Sequence, residues 1–336
     1  MNEITYEESL ALKNPVYLDV RSPGEFAEDH IPGALNIPIF DDAERSEIGT
    51  LYKHAGRDKA IVRGSEIAGG RLGELVLKIS SYKDCELIFT CARGGMRSAA
   101  IASLAESLGL KVYKLKSGYK GYRHYINEKF SNDPVIPPFF VIQGLTGTGK
   151  TEIINYIENS IDLEGMAGHR SSIFGGIGLE QNSQKNFETQ LIAKIFNLNS
   201  REYIAIEGES RKIGNLIIPD TILNRMRTSP AILIEADIER RAEIILKEYT
   251  KIIDKEKIID IVKSLKVKLG KKTIDELESL IKTNEYIPFI KILLEKYYDP
   301  LYEHSLAKYK YIATVKNSDS KATAEEVISC IRNYKG

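Results

Sequence analysis

Two short segments carry the residues that could do chemistry on sulfur or phosphorus. The first, CARGGMRS from Cys91 to Ser98, sets one cysteine ahead of a glycine pair and two arginines. Gly94 and Gly95 permit a tight loop whose N–H groups face the sulfur, while Arg93, Arg97 and a following helix dipole favour thiolate over thiol. Cys91 therefore reads as an accessible, low-pKa nucleophile in an anion loop that ends at Ser98. The second segment, GLTGTGKT from Gly144 to Thr151, fits G-x-x-x-x-G-K-[ST] without a gap. Gly144, Gly147 and Gly149, spaced by Thr146 and Thr148, let backbone N–H groups turn around a di- or triphosphate. Lys150 adds a point charge and Thr151 a hydroxyl able to hold Mg²⁺. The loop does not say what happens to the phosphate.

Each segment needs a strand before it and a helix after it, and the sequence supplies both. Leu87 to Thr90 and Phe139 to Ile142 are short apolar runs that predict buried strands. Ser98 to Ala105 and Glu152 to Ile157 predict helices. Val16 to Val20, a short strand after the Ile31–Pro38 turn, Tyr203 to Ile206 and Ala231 to Ile234 predict further strands. Strands alternating with helices imply parallel α/β sheets. A proline-containing stretch places a linker at 131–138, between a first domain at 1–130 and a second at 139–336. Within the second, 237–300 turns helical and lysine-rich, with breaks expected at Gly270 and Pro288.

The chain has 336 residues, enough for two cores, and its 47 Lys and Arg balance 47 Asp and Glu. A net charge of zero argues weakly against a nucleic-acid partner, but the charge is uneven. Lys111, Lys114, Lys116, Lys120 and Arg123 alternate with Tyr113, Tyr119, Tyr122 and Tyr125 just after the cysteine loop. That pattern suits either RNA phosphates and stacked bases or a solvated lysine face beside core tyrosines. Three cysteines, odd in number, argue against a disulfide framework, and Cys85 and Cys330 read as inert buried residues. No leader and no apolar run of spanning length is seen, so a cytoplasmic location without membrane attachment is expected. The histidines and cysteines lack zinc spacing, and no structural metal is expected.

LDVRSPGEF (Leu18 to Phe26), HIPGALNIP (His30 to Pro38) and the Cys91 loop resemble a rhodanese, a fold whose cysteine carries a persulfide. Arg97 lies six positions after Cys91, a spacing shared with rhodanese-like phosphatases and arsenate reductases, so loop size leaves sulfur and phosphorus chemistry open. Joined to the Gly144–Thr151 loop, the whole resembles the tRNA 2-selenouridine synthase family. AERSEIGTLYK (Ala43 to Lys53), SGYKGYR (Ser117 to Arg123), DLEGMAGHRSSIFGG (Asp162 to Gly176), IEGESRKIG (Ile206 to Gly214) and YYDPLYEH (Tyr297 to His304) extend the likeness. Ala92 departs from the tryptophan often present in that family. Gly208, between Glu207 and Glu209, stands where an acidic residue is common.

The resemblance implies a rhodanese-like parallel-sheet domain followed by a P-loop NTPase-like domain with a helical C-terminal region. It implies replacement of sulfur by selenium in 2-thiouridine at the wobble position of the tRNA anticodon loop. Selenophosphate is the donor, delivered by a selenophosphate-supplying enzyme, and an S-geranyl nucleoside made from geranyl diphosphate is the intermediate. The P-loop would then hold a diphosphate with Mg²⁺, and Cys91 would handle the chalcogen, by attack on selenium or by expelling the geranyl thiol. Glu207 and Glu209 are candidates to order Mg²⁺ or are solvated carboxylates. Arg170 and Arg211 bind diphosphate or tRNA phosphates, or form surface salt bridges. Lys114, Lys116, Lys120 and Arg123 are the candidate tRNA contacts. The rival reading is an ATP-dependent tRNA sulfurtransferase using a Cys91 persulfide.

Overall fold

The computed structural model describes residues 2–131, 136–249 and 254–335. The chain divides into two compact units, one of Met1–Pro134 with Glu188–Ile192, the other of Val135–Phe187 with Ala193–Gly336. Of the expected linker, Ser131 closes the helix Gly118–Ser131, 132–135 lie outside the described residues, and 136–138 have no regular structure.

In the first unit the strands are β1 (Asn2–Ile4), β2 (Pro15–Asp19), β3 (Leu35–Asn36), β4 (Glu86–Thr90) and β5 (Val112–Leu115). They form one parallel sheet in the order β1-β5-β4-β2-β3. The connections wind toward β3 on one side of the β2–β4 pair and toward β1 on the other. The crevice at the C-terminal ends of β2 and β4 is therefore the switch point, where ligands bind in such sheets. Leu87, Ile88 and Phe89 in β4 are fully buried, as a strand covered by helices on both faces requires.

The second unit contributes β6 (Phe139–Gln143), β7 (Ser160–Ile161), β8 (Ile204–Glu207), β9 (Lys212–Ile213), β10 (Leu216–Ile217), β11 (Ala231–Glu235) and β12 (Tyr311–Lys316). Five of them make a parallel sheet ordered β12-β11-β6-β8-β7, and β9 and β10 form a small antiparallel pair. β6 is central and fully buried, and its C-terminal end again marks a switch point.

After β11 the chain runs through helices Ile238–Tyr249, Lys255–Ser264, Lys266–Leu269, Lys271–Lys282 and Tyr286–Leu293, a π-helical turn Leu294–Tyr298, and the helix Asp299–Leu306. Their apolar faces gather Ile258, Val262, Ile274, Leu277, Ile281, Phe289, Leu293 and Leu294 into one cluster, leaving most lysines outside. Gly270, with φ of 75°, separates two helices as expected. Pro288 does not: it sits in the first turn of Tyr286–Leu293, where a missing N–H costs nothing. The break comes earlier, at Asn284, with φ of 63°. Among the described residues no helix is long and apolar enough to cross a membrane.

Candidate active site

Cys91 stands directly after β4 and before the helix Met96–Ser107. The loop between is held from outside: the Tyr119 N–H donates to the Cys91 carbonyl at 2.8 Å and the Lys120 N–H to that of Ala92 at 3.0 Å. Gly94 has φ of 61°, and a Cβ there would lie 2.9 Å from the Gly118 nitrogen and the Leu115 oxygen. Only glycine lets the two segments approach so closely. The Cys91 sulfur lies 3.2 Å from the Ser98 hydroxyl.

One expectation for this loop is corrected and one is extended. Cys91 is buried, 3% exposed, rather than accessible, because β4 ends inside the sheet's own core. Arg97 does not serve the sulfur alone: its Nη1 and Nη2 donate to Glu25 at 2.8 and 3.4 Å. Burial alone would raise the Glu25 carboxyl, but the Arg97 hydrogen bond and charge hold it at about 2. Arg93 is exposed. Cys85 and Cys330 are free and half-buried rather than fully buried, and burial raises the Cys330 thiol. His30 packs its ring on Phe26, with centroids 4.0 Å apart, and its Nδ1 lies 3.0 Å from the Phe26 carbonyl.

The lysine-tyrosine segment splits into two kinds of residue. Tyr122 is 1% exposed, Tyr119 donates to Asp29 at 2.7 Å, and Tyr6 meets the rings of Tyr122 and Tyr125 edge-on. Tyr122 is a core residue, and Tyr6, Tyr119 and Tyr125 are half-buried around it. Arg123 lies 3.6 Å from buried Asp29, and Lys114 pairs with Glu3 at 2.5 Å. Lys114 and Arg123 thus belong to the unit's own ion pairing, while Lys116 and Lys120 are exposed.

The phosphate loop opens the helix Lys150–Asn155 and borders a cavity of about 580 Å³. Gly144, Thr146, Gly147, Gly149, Lys150, Thr151, Arg170, Glu209 and Arg211 all line it. Thr148 is turned away, buried, its hydroxyl donating to the Leu145 carbonyl at 2.9 Å. Lys150 bends back over the loop, its ammonium donating to the Gly144 carbonyl at 3.0 Å. Arg170 lies over the Tyr249 ring at 4.9 Å and 3.9 Å from Glu248. Arg211 is exposed and pairs with Asp220 at 3.2 Å.

The other walls come from the helical region: Ile258, Ile281, Phe289, Ile290, Leu293 and Leu294. Arg241 ties that region to the loop, donating from Nε to the Thr146 carbonyl at 2.9 Å and from both other nitrogens to Asp299 at 2.9 and 2.5 Å. Sequence reasoning missed Arg241 and the apolar walls, because a helix's apolar stripe signals burial but not what it is buried against.

Behind the loop, the Thr151 hydroxyl lies 2.7 Å from Glu207 and 3.2 Å from Glu164. Glu207 is fully buried, not solvated. Burial and the neighbouring carboxylates raise Glu207, Glu209 and Glu164, the last to about 8. Glu164 lies in the segment from Asp162 to Gly176, and only the fold brings it to Thr151. A hydroxyl flanked by crowded carboxylates beside a phosphate cradle fits Mg²⁺, a hard cation that shares oxygen ligands with phosphates. Among the described residues no group of three or more His, Cys, Asp or Glu is arranged to hold a metal alone.

Comparison with known proteins bears on both units. Residues 5–125 match the rhodanese-like domain, and residues 137–334 match the model described as the tRNA 2-selenouridine synthase AAA domain. A tRNA 2-selenouridine synthase of Shewanella woodyi is 30% identical over 94% of this chain and 94% of its own. Another, of Hydrogenovibrio crunogenus, is 30% identical over 90% of this chain and 92% of its own. A crystallised N-terminal domain of a candidate ATP/GTP binding protein from Clostridium difficile 630 is 39% identical, covering 37% of this chain and 98% of that one, with a TM-score of 0.36. With a rhodanese-like first unit, a second unit that the family's own model spans, and curated relatives matched nearly end to end, the chain belongs to the tRNA 2-selenouridine synthase family.

Proposed function

We propose that this protein converts 2-thiouridine at the wobble position of tRNA to 2-selenouridine, through an S-geranyl intermediate. In the first step the thiocarbonyl sulfur attacks C1 of geranyl diphosphate. The C–S bond forms, the C–O bond breaks, diphosphate departs, and N3 of the base loses its proton. In the second, selenium from selenophosphate adds at C2 and geranyl thiol leaves. Water then cleaves the Se–P bond, releasing phosphate. The first step is needed because a thiocarbonyl sulfur leaves poorly, whereas an alkylated one leaves well.

The observation that carries this reading is the continuity of the Gly144–Thr151 cradle with walls of Ile258, Ile281, Phe289, Ile290, Leu293 and Leu294. A diphosphate with a long aliphatic tail matches one polar end and one apolar end, and the volume falls in the usual range for small-ligand sites. The rival ATP reading leaves that aliphatic length without a ligand to cover it. Lys150 and Arg170 would hold the departing diphosphate, and Thr151, Glu164 and Glu207 would hold Mg²⁺, which supplies charge neutralisation when bound. Cys91, in the other unit, serves the chalcogen exchange, with selenophosphate supplied by a separate enzyme.

Incubation with 2-thiouridine tRNA and either geranyl diphosphate or ATP, followed by nucleoside mass spectrometry, tests the reading. S-geranyl-2-thiouridine should appear with geranyl diphosphate alone, and 2-selenouridine on adding selenophosphate. Product that requires ATP and never carries a geranyl group would reject it.

A further inference from the structure

Gln143 ends β6, immediately before the phosphate loop, and is a polar side chain with only 6% exposure that nonetheless lines the cavity. Its position depends on Gly208: a Cβ there would lie 2.4 Å from the Gln143 carboxamide carbon. Any other residue at 208 would push the amide aside. Burial raises the Tyr309 phenol, and the Arg227 charge and the Gln143 side chain pull it back in part. Tyr309, Arg227 and Lys308 line the same cavity.

Exposure locates the rim. Of the charged cavity-lining residues open to solvent, Arg211, Arg227 and Lys308 are cationic, and the one acid, Glu248, faces Arg170. Arg211 is paired with Asp220, whereas among the described residues no ion pair involves Arg227 or Lys308. An enclosed carboxamide and an aromatic ring lining one cavity, with two cations at the opening, match one nucleotide of a single strand: an edge to read, a face to stack on, and flanking phosphates.

We infer that Gln143 and Tyr309 form the pyrimidine subsite of this cavity, with Arg227 and Lys308 holding the adjoining RNA phosphates. The assignment rests on the prenyl-transfer reading above and adds where the acceptor base sits. The carboxamide presents an oxygen acceptor beside an N–H donor, the complement of the N3–H and O4 of 2-thiouracil. Reading that edge leaves the sulfur at C2, on the other side of N3, free to meet the prenyl carbon. The base must be unstacked from its loop to enter, as bases handled by enzymes generally are.

The test uses the full-length protein and an anticodon stem-loop RNA carrying 2-thiouridine, with geranyl diphosphate binding measured separately by calorimetry. Arg227→Ala with Lys308→Ala should lower RNA affinity and reduce the log–log salt slope by about 0.7 per lost contact. Gln143→Glu keeps the shape but replaces the donor by a charge that repels O4. It should weaken RNA binding about tenfold or more, and Tyr309→Ala, at a less buried position, should do the same by removing the stack. Geranyl diphosphate affinity should stay unchanged in Arg227→Ala/Lys308→Ala and in Tyr309→Ala. Wild-type RNA affinity and salt slope in these folded variants would overturn the subsite while leaving prenyl transfer standing. A wild-type protein that binds the RNA but not geranyl diphosphate would instead overturn the reading beneath it.

Discussion

The two anion cradles of this chain solve the same problem in opposite ways. Around Cys91 the charges are already matched: Glu25 takes Arg97, Asp19 takes Arg21 at 2.6 Å, and the sulfur is buried against Ser98. Around Thr151 they are not, since Glu164, Glu207 and Glu209 crowd together with raised carboxyls and Lys150 turns onto the backbone. A satisfied cradle suits a small chalcogen anion meeting a preset loop. A crowded one gains most from an incoming cation and diphosphate, which relieve like-charge repulsion. On the proposed function, the contrast assigns the group-transfer chemistry that needs outside charge to the second unit.

The sharpest way to break this comparison is Cys91→Ala. It should abolish selenium incorporation while leaving geranylation substantially intact, as read by nucleoside mass spectrometry, and equal loss of both in a folded variant would mean the cradles do not divide the work. Next is Arg241→Ala, which strands Asp299 and frees the loop from the helical region. Removing one partner of a buried pair costs about 3–5 kcal/mol, so denaturant unfolding should show the loss in this variant, and none of that size in Arg93→Ala, whose side chain is exposed.

Lys150→Ala should slow geranyl transfer about 10²–10³-fold, the usual cost of one electrostatic group that stabilises developing charge. Pre-geranylated tRNA should restore selenation; a variant still inactive on that substrate would remove Lys150 from the diphosphate step. The smallest effect concerns pH. Glu164 is raised from 4.5 to about 8, so between those values the folded protein binds the extra proton and stability falls as pH rises. Glu164→Gln should flatten that part of the thermal-midpoint profile in metal-free buffer. An unchanged slope would mean that Glu164 is not the group that titrates.

Local sequence determined the parts whose physics is local. A β-branched run followed by a glycine-rich loop and a helix start places Lys150 and Thr151, and the same strand-loop-helix grammar places Cys91. Both sit at the strand ends that parallel sheets reserve for ligands. The family likeness was legible because its motifs lie in these contiguous segments. What the sequence could not show is which distant groups meet them. Glu25 lies 72 residues before Arg97, and neither its spacing nor its type distinguishes it from any helix-capping glutamate. Lys114 and Arg123 stand in a row that the sequence leaves open to RNA contact or to a solvated face, and only the fold sets Glu3 and Asp29 beside them. The apolar walls of the cavity are ordinary amphipathic stripes whose function depends on packing over the phosphate loop, a matter of tertiary contact. Charge, burial and proximity decide whether a residue is a ligand-binding group or a structural one, and those are properties of the folded chain alone.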